Sequence, residues 1–170
     1  MIADRLAVLA ILFTVSINTS LASGVWILHE DGIGPVKVGM SLSQLSRALH
    51  EEFSMPEEKS DQACFYVHPA KHADISFMIE NGRLARIDVE GRGTATAEGI
   101  RVGDSESRAL QVYGPGLKVE EHQYTGPGGH YLTLRSSNGR YGIRLETDKG
   151  KIERFYAGRF EAVQYVEGCL

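Results

Sequence analysis

Six histidines, two cysteines and a scatter of tyrosines and arginines are the side chains of this 170-residue chain best suited to chemistry. Their spacing assembles few reactive sets. His68 and His72 stand four apart, but Pro69 lies between them and breaks the helix that would aim both at one metal. His122 and His130 flank a glycine-rich loop and have no cysteine or carboxylate at a ligand spacing. "YTGPGGHY", Tyr124 to Tyr131, lacks the Gly-Lys-Ser/Thr of a phosphate loop, and no serine sits in Gly-x-Ser-x-Gly. The adjacent acids Glu51-Glu52, Glu57-Glu58 and Glu120-Glu121 read as solvated faces. The expectation is therefore no enzyme, no metal and no cofactor. A small hydrolase or carbohydrate-binding module using Tyr124, His130 and Tyr131 is the weaker alternative.

The cysteines, Cys64 and Cys169, read differently because of how the chain begins. "MIADR" is followed by the apolar run "LAVLAILFTVSI" and then by "NTSLASG". That run is short for a bilayer span, and Ser20 and Ala22 put small residues at −3 and −1 of a cleavage point. Residues 1–22 are expected to be a signal peptide and 23–170 the mature domain, periplasmic or secreted, with no stable membrane insertion. An uncleaved anchor is the alternative. In an oxidising compartment an even pair of cysteines bridges, here tying down the tail "QYVEGCL". Two free thiols, or a bridge between molecules through Cys169, are the other outcomes. Net charge is −4 and no Lys/Arg run stands out, which argues against a nucleic-acid partner.

The elements that must position these residues are written twice. Val36, Lys37, Val38, Gly39, Ser41 and Ser43 fall opposite Ile100, Arg101, Val102, Gly103, Ser105 and Ser107, at a constant offset of 64. "ISFMIENGRLARIDV" from Ile75 falls opposite "IRLETDKGKIERFYA" from Ile143, at an offset of 68. Two blocks in one order imply a duplication, repeat one at 33–91 and repeat two at 99–169. The stretch Gly91 to Gly99 reads as their linker. In each copy a helix starts after Gly39 or Gly103. Ser41 with Gln44 makes a capping box, and Asp104 or Ser105 caps the second helix. Gly114-Pro115-Gly116 stops that helix. Strands follow at Cys64–His68 and His130–Arg135, then a hairpin turning at Asn81-Gly82 or Lys149-Gly150. The fold class is α+β, with two tandem repeats, each a short helical segment packed on a small antiparallel β-sheet.

Alternation assigns faces. Ile75, Phe77, Ile79, Ile87, Val89, Ile143, Leu145, Phe155 and Ala157 should lie under the helices. The opposite face offers Tyr131, Thr133, Arg135, Arg144, Glu146, Arg154 and Tyr156 in the second copy. In the first it offers Phe65, Val67, Ser76, Met78, Arg86 and Asp88. Tyr and Arg on a rigid sheet suit protein contacts. Tyr131, Arg135, Arg144, Arg154, Tyr156, Phe65 and Met78 are the candidate binding residues. The alternative is that the copies cover each other's outer faces, or that Arg/Glu pairs simply solvate the sheet.

"VGMSLSQLSRAL", an aromatic strand and "ISFMIENGRLARIDV" together resemble the SmpA/OmlA (BamE) type of small envelope protein. Two such units in tandem on a secreted chain resemble the beta-lactamase-inhibitory-protein fold. The chain is also similar to uncharacterised secreted bacterial proteins with a Tyr-Val-Glu-Gly-Cys-like tail. The second copy has the Gly114-Pro115 helix end of the pattern, whereas the first runs on through "HEEFSMP". The resemblance spans nearly all of Val36 to Cys169 and implies an exported binding or inhibitor module whose partner is another extracytoplasmic protein or envelope component. A structural envelope-assembly component is the second reading.

Overall fold

A computed structural model describes residues 25–58 and 62–169. The signal-peptide expectation, on residues 1–22, lies outside the described residues. The period-two hydrophobic runs form strands as their alternation requires, and two short amphipathic runs form helices. In chain order the elements are β1 (Ile27–His29), β2 (Gly32–Ile33), β3 (Val36–Lys37), α1 (Leu42–Leu49), β4 (Cys64–Val67), β5 (Ile75–Glu80), β6 (Arg83–Val89) and β7 (Ala95–Thr96). They continue with α2 (Glu106–Tyr113), β8 (Lys118–Glu121), β9 (His130–Arg135), β10 (Tyr141–Asp148) and β11 (Lys151–Arg159). The class is α+β, mostly strand.

The strands make one continuous seven-stranded sheet, in the order β4-β5-β6-β11-β10-β9-β8, rather than two separate small sheets. Its seam is the antiparallel β6–β11 pair, where Phe155 faces Val89, Tyr156 faces Asp88 and Ala157 faces Ile87. A second, four-stranded sheet has the order β3-β2-β1-β7. The linker reading of Gly91 to Gly99 is corrected here. Ala95 and Thr96 pair in parallel with Ile27 and Leu28, and Thr94, Ala95 and Thr96 are buried. The Tyr113 hydroxyl of α2 donates to Thr96 Oγ1 at 2.8 Å, fastening this strand to the second helix.

Both helices start as their capping residues dictate. Ser41 accepts from the Gln44 amide at 3.3 Å while Gln44 Oε1 accepts from the Ser41 amide at 2.8 Å, a reciprocal box. Of the two candidates for the second cap, Ser105 takes the position and accepts from the Arg108 amide at 3.2 Å. Helix α1 ends on left-handed His50 and α2 on Gly114. Leu45 and Ala109 are wholly buried, with Leu42, Leu49 and Tyr113 packed beside them. They cover Ile75, Phe77, Ile79, Ile87, Val89, Ile143, Leu145, Phe155 and Ala157, the inner face expected from alternation.

Each helix start is stitched to the hairpin that follows it. The Gly39 amide donates to Leu84 O at 2.8 Å and the Leu84 amide to Met40 O at 2.8 Å. The Gly103 amide donates to Ile152 O at 2.7 Å and the Ile152 amide to Asp104 O at 2.9 Å. Both hairpins carry a register shift, between Met78 and Ile79 and between Glu146 and Thr147. The first shift crowds the seam. A Cβ on Gly158 would lie 2.7 Å from Arg86 Cα, against main chain that cannot swing away. Gly158→Val is expected to cost about 1–3 kcal/mol through overpacking. A urea midpoint equal to that of the parent would show the seam to be loose.

Candidate functional site

The outer face of the large sheet is not bare. The chain turns back after β11, buries Ala162 and Val163, and runs on as a strap to Cys169. A disulfide joins Cys169 to Cys64 on edge strand β4, with the Cα atoms 5.3 Å apart and 105 residues of sequence between them. Ala162 packs with Met78 and Ala85, flanked by Tyr66 and the two cysteines. No helix among the described residues is long and apolar enough to cross a membrane.

This strap changes the environment of the residues expected on an open face. Met78 is wholly buried, and Tyr131, Arg144 and Tyr156 are buried as well. Arg135 and Arg154 remain exposed. Phe65 and Val67 belong to the other side altogether. Directly opposed residues in an antiparallel pair share a face, and Phe65 faces Ile79 while Val67 faces Phe77. Both therefore enter the inner core, and Tyr66 takes the outer face. The expected open patch is thus corrected: five of its seven residues, Tyr131, Arg144, Tyr156, Phe65 and Met78, are covered. Tyr131→Ala with Tyr156→Ala is accordingly a destabilising change, not a mild surface one.

Beneath the strap lies a layer of paired polar groups. Arg86 donates from Nε to Asp88 Oδ1 at 2.7 Å and from Nη2 to Asp88 Oδ2 at 3.0 Å. Its remaining donors reach the Tyr66 hydroxyl at 2.8 Å and two strap carbonyls, Ala162 O at 3.2 Å and Tyr165 O at 3.0 Å. The guanidinium also lies 4.2 Å from the Tyr156 ring centroid. Burial works against the Arg86 charge, but Asp88 outweighs it and holds the guanidinium above its ordinary range. Tyr156 donates to Glu146 Oε1 at 2.9 Å, and Arg154 donates to Glu146 Oε2 at 2.7 Å. Arg144 donates to Thr133 Oγ1 at 2.8 Å and also bonds the Gln164 side chain of the strap. His122 stacks on Tyr131, with centroids 4.3 Å apart, so the glycine-rich loop closes over the β9 side. Tyr124 of that loop bonds Glu167 of the strap.

Between strap and sheet remains a cleft of about 340 Å³ lined chiefly by Tyr66, His68, Arg86, Asp88, Glu90 and Arg154, with Val166, Glu167 and Gly168 as the strap-side wall. Gly168 is suited to that wall. Its φ is +71, and a Cβ would run into the Tyr66 hydroxyl. Ser76 Oγ lies 3.1 Å from His68 Nδ1 at the cleft edge. The Tyr124, His130, Tyr131 set is not brought together. His130 and Tyr131 are adjacent in β9 and point to opposite faces, and His130 bonds Glu106 of α2 at 3.0 Å. Burial, then the neighbouring Asp88 charge, pushes the Tyr66 hydroxyl up to about 12. The folded state therefore holds the Tyr66 proton above pH 10, where the unfolded chain releases it. Stability falls as pH rises from 10 to 12. Tyr66→Phe is expected to flatten that decline in denaturant midpoints measured across this window. An unchanged slope would place the decline on other groups.

Sequence reasoning missed Tyr66, His68 and the whole strap-side wall, Val166 to Gly168. The only signal for the wall was the cysteine next to the C-terminus. Comparison with protein-family models, with curated proteins and with solved structures returns no match for this chain.

Proposed function

We propose that the chain is an exported, non-enzymatic binding protein that receives another extracytoplasmic protein or envelope component at the strap-roofed cleft. The observation that carries this reading is the cleft's pre-organisation. Its charged walls are held in place by each other: Arg86 by Asp88 and two strap carbonyls, Glu146 by Arg154 and Tyr156. Groups fixed before contact lose little freedom on binding, which is how a polar site gains affinity and selectivity. The disulfide supports export, because such a bond persists in oxidising compartments.

The BamE-like and inhibitor-like resemblance belongs to the same proposal, as does descent from one duplicated helix-and-hairpin module. Several features support duplication. The helix-to-hairpin bonds, the hairpin register shifts and the Ser41–Arg83 and Ser105–Lys151 bridges all recur at the offsets of 64 and 68. At the latter offset Asp88 corresponds to Tyr156, the two residues that face each other at the seam. Arg86 likewise corresponds to Arg154, so both arginines of the cleft occupy one ancestral position.

The test is capture from the native compartment with the oxidised protein and with Arg154→Glu as baits. Arg154 is exposed at the cleft and anchors no buried core. A partner retained by the parent and lost at least about tenfold by the variant supports the reading, a change of the size expected for one central charged contact. Equal retention would move the contact surface elsewhere. Sedimentation of the chain with envelope material, with no soluble partner, would favour the structural-component reading instead.

A further inference from the structure

The strap has two parts that are held by different forces. Ala162 and Val163 are wholly buried and anchor its beginning in the fold. From Tyr165 to Cys169 no side chain is fully buried. That second part is held by the Cys64 bond, by Tyr165 O on Arg86, by Tyr165 Oη donating to Glu80 at 2.9 Å, and by Tyr124 on Glu167. It is also the part that walls the cleft. Exposed hydrogen bonds of this kind exchange readily with water and hold a short segment weakly once its covalent tether is gone.

We infer that Tyr165–Cys169 is a redox-latched lid: reduction of the Cys64–Cys169 disulfide frees it and opens the cleft, with the seven-stranded sheet intact. The role of the opening, admission of the partner, rests on the binding reading above; the opening itself does not. Both cysteines are half-buried rather than sealed, so a dithiol can reach them. A thiolate of the reductant attacks one sulfur and forms a mixed disulfide, and its second thiol then displaces that sulfur. The reductant leaves as its own disulfide, and Cys64 and Cys169 each hold a thiol proton.

The floor of the cleft survives this step. When Tyr165 leaves, Arg86 keeps both Asp88 oxygens, the Tyr66 hydroxyl and the Ala162 carbonyl, which lies on the anchored side. Cys64 stays in β4, paired with Glu80 of β5. The core under the helices does not touch the lid. Opening therefore exposes a formed site rather than unfolding one.

Amide hydrogen exchange on the oxidised chain and on the same chain in dithiothreitol tests this. In the reduced protein, exchange over Val166–Cys169 is expected to rise by at least about tenfold, while β5, β6, β10 and β11 change by less than about twofold. The double variant Cys64→Ser/Cys169→Ser should reproduce the reduced pattern without reductant. Unchanged protection of Val166–Cys169 would overturn the inference, because the lid would then be held by its own contacts. A parallel rise across the central strands would also overturn it, making the bond a staple of the whole fold. Neither readout needs the partner, so opening without any partner being found would count against the binding reading alone.

Discussion

Arg86→Ala is expected to lower the unfolding free energy by about 3–5 kcal/mol, the cost of stranding one member of a buried ion pair. The Asp88 carboxylate, its side chain 11% exposed, loses its only ion-pair partner 2.7 Å away. Tyr66, Ala162 and Tyr165 lose a donor at the same time. The physical claim is that the penalty comes from the abandoned charge more than from the lost attraction. Arg86→Ala with Asp88→Ala should then cost less than Arg86→Ala alone, since no charge is left buried. Urea denaturation of the three variants decides it. A double variant that loses the sum of the two single losses would mean that the residues act independently.

Cys64→Ser is expected to lower stability by roughly 3–5 kcal/mol in oxidised protein, lowering the melting temperature on the order of 10 °C. Closing a loop across 105 residues removes about 4–5 kcal/mol of chain entropy from the unfolded state. Part of that is returned in the variant, because the freed lid regains conformational entropy in the native state too. The loss should therefore sit at or below the loop-closure figure. Thermal melts of parent and variant, with and without dithiothreitol, check it. The reduced parent should melt with the variant, and a variant as stable as the oxidised parent would contradict the account.

Much of the fold was readable from local chemistry. Ser41 and Gln44 announce α1 because a hydroxyl and an amide three residues apart satisfy each other's backbone. Asn81-Gly82 and Lys149-Gly150 announce two hairpins because both turns need positive φ, and all four residues adopt it. The span His130–Arg135 was legible to the residue from its alternation. The Cys64–Cys169 pairing followed from cysteine number and compartment.

Other features had no local signal. The strand "CFYV" is apolar or amphipathic on both faces, so alternation cannot say which side is inner. Only its register on β5 sends Phe65 and Val67 inward. Strands β1, β2, β3 and β7 are two or three residues long, too short to display a period. The candidate site was legible by half. Arg86, Asp88, Arg154 and Glu146 fell on one face by alternation. Their burial did not, because it depends on a strap whose sequence, "QYVEGCL", has no periodicity and whose path is set by arginine donors far away in the chain.

The most direct test of the central claim places a photo-crosslinking amino acid at His68, an exposed residue at the cleft, and separately at Val112, exposed on α2 on the opposite side of the large sheet. Both chains are irradiated in the native compartment. The account predicts a discrete covalent adduct from position 68 that is missing from position 112. Adducts from position 112 alone, or from neither position, would contradict it.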